Sequence, residues 1–380
     1  MGATVGSTDW WVFWAVAGAR FLLPLAIPRY PLPGILAALL LDGVDQSVFQ
    51  QFTGLSLAGY QGYDKALDIY YLAIAYISTH RNWANARAFQ VGRLLFYWRL
   101  VGVALFEVTQ QRFLLLVFPN TFEYFFIFFE AFRLRWDPNR LGWRPLVGAA
   151  AAIWIVVKLP QEYWLHIAQL DATDWIKTRL LGISLDASWA AALRARPGVV
   201  VAALAAVILV AAAAWWLLRR WLPPADRALS LASDADQPRF STDQVRGAVA
   251  REASHIVDVA LAEKIVLIAL VSVSFAHVLP DVQTGDLRLA LDVALLVTVN
   301  TALSHWLARR GSGWAFTLRQ FALLASVNGA LILTYVRLRP GGAAPLGLTS
   351  AVFFVLLLTL LVTLFDRYRQ VYLMRFAWAR

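Results

Sequence analysis

Four aspartates lie close together near the N-terminus: Asp42 and Asp45 in "LLLDGVDQSVFQQF" (39–52), then Asp64 and Asp68 in "GYDKALD" (62–68). On a helix, Asp42, Asp45, Gln46 and Gln50 recur at spacings of three and four and share one polar stripe, while Leu39 to Leu41 and Val48 face elsewhere. Asp64 and Asp68 likewise share a face, with Tyr71 one turn deeper. If the two helices are antiparallel neighbours, the four carboxylates converge on one pocket. So many like charges at low dielectric require a neutralising cation or retained protons. Oxygen donors in such number suit Mg²⁺, Mn²⁺ or Ca²⁺.

The elements that must position these groups are membrane helices. A hydrophobic fraction of 60%, 15% charged residues and a mean hydropathy of +0.59 over 380 residues lie outside the soluble globular range. The expected fold is all-α, a polytopic integral membrane bundle of about eleven spans near 10–27, 33–52, 64–80, 88–108, 113–132, 145–159, 197–218, 255–280, 287–308, 314–337 and 347–366. The first contains Arg20 and Pro24 and the sixth is short, so either could lie in the interface or re-enter. The start "MGATVGSTDWWVFW" lacks the basic region and cleavage site of a removable signal peptide.

The net charge of +10 sits mostly in connections: Arg81 and Arg87; Arg133, Arg135, Arg140 and Arg144; Arg219 to Arg251; Arg309 and Arg310; Arg367 to Arg380. If the spans alternate, these share one side, which the charge bias makes cytoplasmic, with the C-terminus there in a cell (inner) membrane. That distribution argues against nucleic acid as a partner and for membrane lipids and other membrane protein subunits. The hydrophilic stretch 222–254 reads as a cytoplasmic linker between an N-terminal bundle (1–221) carrying the acidic cluster and a C-terminal bundle (255–380) of about four helices. The loop 160–196 lies outside, and "DWIKTRLLGISL" within it reads as a surface helix. With no cysteine, thiolate metal sites, disulfides and cysteine nucleophiles are excluded.

The aspartate spacing resembles the metal-binding signature of the CDP-alcohol phosphatidyltransferase family, D-x2-D-G-x2-A-R-x8-G-x3-D-x3-D. Asp42, Asp45 and Gly59 occupy pattern positions, and Asp64 and Asp68 each fall one residue late. Gln46, Phe49 and Gln50 replace the Gly, Ala and Arg of the pattern. The resemblance implies a two-metal site, with Asp42, Asp45, Asp64 and Asp68 as ligands, that activates a hydroxyl against a phosphoanhydride. A second, topological similarity is to multi-span glycosyltransferases that use polyprenyl-phosphate sugars, whose catalytic acid lies in the first outside loop. Asp42, Asp45 or Asp64 would carry it. Against both stands a structural role, in which Asp42 and Asp45 cap a broken helix or pair with Arg93 or Arg99.

Arg99, deep in the fourth span, is the candidate phosphate partner, whereas Arg93 is placed to snorkel. Glu107 closes that span, and Pro119–Asn120 interrupts the next, with Glu123 and Glu130 beyond it lining either a kinked structural helix or a substrate path. In the C-terminal part, His255 with Asp258, and Asp292, Asn300 and Ser304 with His305, read as ordinary polar groups before they read as a proton path. The sum is a membrane-embedded transferase acting on a lipid-linked or phosphate-bearing substrate through the four aspartates, with Mg²⁺ or Mn²⁺. The alternatives are a non-catalytic subunit of a membrane complex or a proton- or cation-coupled transporter.

Overall fold

The computed structural model describes residues 7–54, 60–109, 111–168, 172–185, 187–221, 224–236, 258–279, 285–309, 318–338 and 347–376. All regular structure among them is helical: α1 (Ser7–Leu22), α2 (Pro31–Phe52), α3 (Tyr60–Asn82), α4 (Ala86–Thr109), α5 (Phe113–Val117), α6 (Thr121–Arg133), α7 (Trp143–Ala152), α8 (Leu159–Glu162), α9 (Ala172–Trp175), α10 (Trp189–Ala195), α11 (Pro197–Trp221), α12 (Val259–Ala276), α13 (Asp286–Arg309), α14 (Leu318–Leu338) and α15 (Leu348–Phe376). The chain forms two compact units, residues 1–96 with 230–380, and residues 97–229.

This is an all-α, polytopic membrane helix bundle, but the expected eleven spans are not all there. Among the described residues, seven helices are long and apolar enough to cross a membrane: Pro31–Phe52, Ala86–Phe106, Phe113–Arg133, Trp143–Leu165, Val259–Ala276, Asp286–Trp306 and Leu348–Phe376. An eighth arises if α10 and the start of α11, sharply bent against each other, count as one span. The stretches 10–27, 64–80 and 314–337 drop out for separate reasons. α1 stops at Leu22, where Pro24 starts a 3-10 turn. α3 carries Asp64, Lys65, Asp68 and Arg81 in one helix. In α14 the apolar segment among the described residues is Phe321–Thr334, and residues 314–317 of the expected stretch lie outside them.

In the first unit α3 is central. It packs against α1, α2, α12 and α15, and Tyr70 to Ile77 are all buried. A helix surrounded by other helices can be polar, because protein and not lipid meets its side chains. Its C-terminal end illustrates this: Arg81 bonds the Pro28 carbonyl, Ser233 Oγ (2.9 Å) and Asp234. Ser233, from the stretch read as a linker, is itself buried and donates from its backbone N–H to Arg29 O at 2.8 Å. Residues 237–254 of that stretch lie outside the described residues.

α12, α13, α14 and α15 are tied by buried polar contacts. Asn300 Nδ2 donates to Asn328 Oδ1 (2.5 Å), and Asn328 Nδ2 donates to Thr359 Oγ1 (2.8 Å), a ladder across three helices. Lys264 pairs with Asp366 and donates to Thr301 Oγ1 at 2.9 Å. Such groups act between helices as hydrogen-bonding glue. Asp258 Oδ1 accepts from Leu261 N–H at 2.8 Å and caps α12, while its expected partner His255 lies outside the described residues.

Candidate functional site

α2 begins with Pro31 at its first position and runs unbroken to Thr53, whose backbone N–H and hydroxyl both return to Phe49 O. That continuity puts Asp42 and Asp45 on one side of the helix, as their spacing of three requires. α3 presents Asp64 and Asp68 from its N-terminal half. The third element is α1, which contacts both α2 and α3, and it contributes Arg20.

Arg20 is the centre of the site. Its Nη1 donates to Asp45 Oδ2 and, at 2.8 Å, to Asp64 Oδ1. Its Nη2 donates to Asp42 Oδ1 and, at 3.1 Å, to Asp68 Oδ1. The guanidinium carbon stands 5.6 Å from the centroid of the Tyr63 ring, which packs with Phe13 and Phe49. Below it, Tyr70 donates to Phe21 O at 3.1 Å and fixes the end of α1 on α3.

The four carboxylates are not equivalent. Asp45 is fully buried, whereas the side chains of Asp42, Asp64 and Asp68 keep 22%, 34% and 34% of their exposure. Asp45 can therefore be assigned as the inner counter-ion of Arg20, and the other three form an open triad. Arg20 brings one positive charge to four carboxylates, so the rest of the balance falls to a bound cation or to retained protons.

The triad fits a divalent cation. One oxygen each from Asp42, Asp64 and Asp68 lies within 4.8 Å of the others, close enough to coordinate one ion. Mg²⁺ holds its oxygens at about 2.1 Å, which puts opposite ligands about 4.2 Å and neighbouring ones about 3.0 Å apart, so the triad would draw together around one ion. Arg20 donates to these same residues, so an ion and the guanidinium compete for them.

Arg20 is the residue missed in choosing the site from sequence, and the expected pairing with Arg93 or Arg99 is corrected by it. Arg93 instead meets Glu263 Oε2 at 3.3 Å, and that carboxylate also accepts from Tyr76. Arg99, the expected phosphate partner, donates to Phe118 O at 3.1 Å within the second unit. Gly59 and the side chain of Glu107 lie outside what is described. No family model, curated protein or solved structure matches the chain.

Proposed function

We propose that this chain is a membrane-embedded transferase acting on a lipid-linked or phosphate-bearing substrate at the Asp42, Asp45, Asp64 and Asp68 cluster. The observation that carries the proposal is the split within the cluster. Asp45 balances Arg20 in the interior, and three partly exposed carboxylates remain within 4.8 Å of one another. An unbalanced triad of hard oxygen donors calls for Mg²⁺ or Mn²⁺, which when bound polarises a coordinated hydroxyl or phosphate oxygen. The resemblance to the CDP-alcohol phosphatidyltransferase spacing supports the same chemistry.

In this proposal Arg20 takes the phosphate role that the sequence suggested for Arg99. A guanidinium released from the triad by the incoming ion stays anchored on Asp45 and turns its free N–H groups to a phosphate. The Lys and Arg bias supports a cell (inner) membrane location with the C-terminus cytoplasmic and the cluster opening away from the cytoplasm.

One observation favours a second reading. Arg20 reaches all four carboxylates at once, which suits a closed latch in a complex subunit or a cation- or proton-coupled transporter. Electron paramagnetic resonance of Mn²⁺ added to the purified protein separates these. The transferase binds Mn²⁺ at a site lost in Asp42→Asn and Asp68→Asn while the unfolding temperature holds, and the same variants lose a product from cellular lipid extracts. No Mn²⁺ binding, together with unfolding of both variants, establishes the latch. Mn²⁺-dependent or pH-dependent flux into proteoliposomes without a lipid product establishes the transporter.

A further inference from the structure

The second unit holds a buried polar site of its own. The segment Phe113–Arg133 is apolar and long enough to span, yet it breaks at Pro119–Asn120, between α5 and α6. Opposite it, the segment Trp143–Leu165 is opened by π-helical turns at Ile153–Lys158 and Tyr163–Ile167 on either side of α8. π-turns within helices concentrate at functional sites, because each re-aims side chains and frees backbone groups. α6 packs on the first of these turns and α5 on α8 and the second.

Together they bury Asn120, Thr121, Glu123, Lys158 and Glu162. Asn120 Nδ2 donates to Glu123 Oε2 (2.9 Å), Asn120 N–H donates to Glu162 Oε1 (3.3 Å), and Lys158 Nζ stands 3.7 Å from Glu123 Oε2. Lys158 Nζ also lies 4.1 Å from the Tyr124 ring centroid. Arg99, which donates to Phe118 O (3.1 Å) beside the break, brings a second cation to this end of the unit. Two carboxylates and two cations balance.

What does not balance is hydrogen bonding. Asn120 Oδ1, Thr121 Oγ1 and Gln161 Oε1 are buried without a partner among the described residues. Polar atoms on membrane-spanning segments have no bulk water to turn to, so orphaned acceptors there mark a place for a donor. Alongside runs an open apolar groove of about 510 Å³ lined by Leu116, Val117, Ala151, Trp154, Ile155 and Leu159. Leu116 and Val117 lie just before the break and Leu159 follows Lys158, so the groove and the polar group are built from the same two segments.

We propose that this unit binds a neutral lipid alcohol, with its hydrocarbon chain in the groove and its hydroxyl head among Asn120, Thr121 and Gln161. The hydroxyl donates to Asn120 Oδ1 or Gln161 Oε1 and accepts from Thr121 Oγ1. Charge complementarity selects an uncharged head: a phosphate would face Glu123 and Glu162, and an ammonium would face Lys158 and Arg99. The site stands independently of the aspartate cluster.

The test is photo-crosslinking of the full-length purified protein with a diazirine-bearing fatty alcohol, mapped by peptide mass spectrometry. Label is expected on the peptides spanning 113–124 and 151–162. Hexadecanol or a monoacylglycerol should compete, the better competitor telling a simple alcohol from a glycerol head, while hexadecane and palmitate should not. Gln161→Leu and Thr121→Val should each weaken labelling about fivefold to tenfold, the loss of one hydrogen bond. Thr121→Val is nearly isosteric and keeps the test valid where Gln161→Leu does not fold. Labelling elsewhere, competition by hexadecane equal to that by hexadecanol, or folded variants that label like the native chain would each overturn the proposal.

Discussion

At Arg20, two terminal nitrogens of one guanidinium serve four carboxylates on two other helices, a geometry that a lysine's single compact charge cannot reproduce. Arg20→Ala removes the guanidinium that faces the buried Asp45, and breaking a buried pair from one side costs about 3–5 kcal/mol. A fall in unfolding temperature of the purified protein is expected, with partial recovery in millimolar Mn²⁺, because the ion can neutralise the triad. Combining Arg20→Ala with Asp45→Asn should cost less than the two separate losses added together. Additive losses would mean that the two side chains do not act as a pair. Arg20 stood out in the sequence only as an oddity of the first apolar stretch, although the rule that a charge among apolar helices needs a partner applies to it. Its partners were not visible, since they lie 22 to 48 residues away on other helices and nothing local ranks Arg20 above Arg93 or Arg99.

The elements that bring Arg20 into place are the end of α1, the 3-10 turn Leu23–Ala26 and the start of α2. They fit closely at Gly34, where a Cβ would stand 2.9 Å from both the Cα and the N of Ile27. Those are backbone atoms and cannot rotate away, so Gly34→Ala must push the turn off α2. Overpacking of this kind costs about 1–3 kcal/mol. Because the turn carries α1, the same substitution should also loosen Arg20 from Asp42 and Asp45. We expect a lower unfolding temperature for Gly34→Ala and stronger Mn²⁺ binding than in the native chain, since the guanidinium competes less. Gly43→Ala, whose Cβ meets nothing within 4 Å, is the matched control. Period and hydropathy made α2 and the break at Pro119–Asn120 legible in the sequence. The π-helical turns at 153–158 and 163–167 were not, because they arise from packing against α5 and α6 and leave no local signature in "IWIVVK" or "YWLHI".

Counting spans by hydropathy assumes that every long apolar helix meets lipid, and α3 shows why the count ran high while the architecture held. Wrapped by α1, α2, α12 and α15, it carries the site's Asp64 and Asp68 and the buried His80 at its far end, so its sequence is too polar for a lipid-facing span. Sidedness rests on a simpler feature, the charge of the connections, and it can be checked on the two sides of α11. Ser184 precedes α11 and Ala225 follows it, both are exposed, and the orientation proposed above puts the arginine-rich connection after α11 on the cytoplasmic side. Because the chain has no cysteine, Ser184→Cys and Ala225→Cys each create a unique thiol. A membrane-impermeant maleimide applied to intact spheroplasts should label Ser184→Cys at once and Ala225→Cys only after permeabilisation. The reverse pattern would place the arginine-rich connections outside and invert the chain. Equal labelling of both in intact cells would mean that α11, at 25 residues the longest helix of its unit, lies along the membrane and does not cross it.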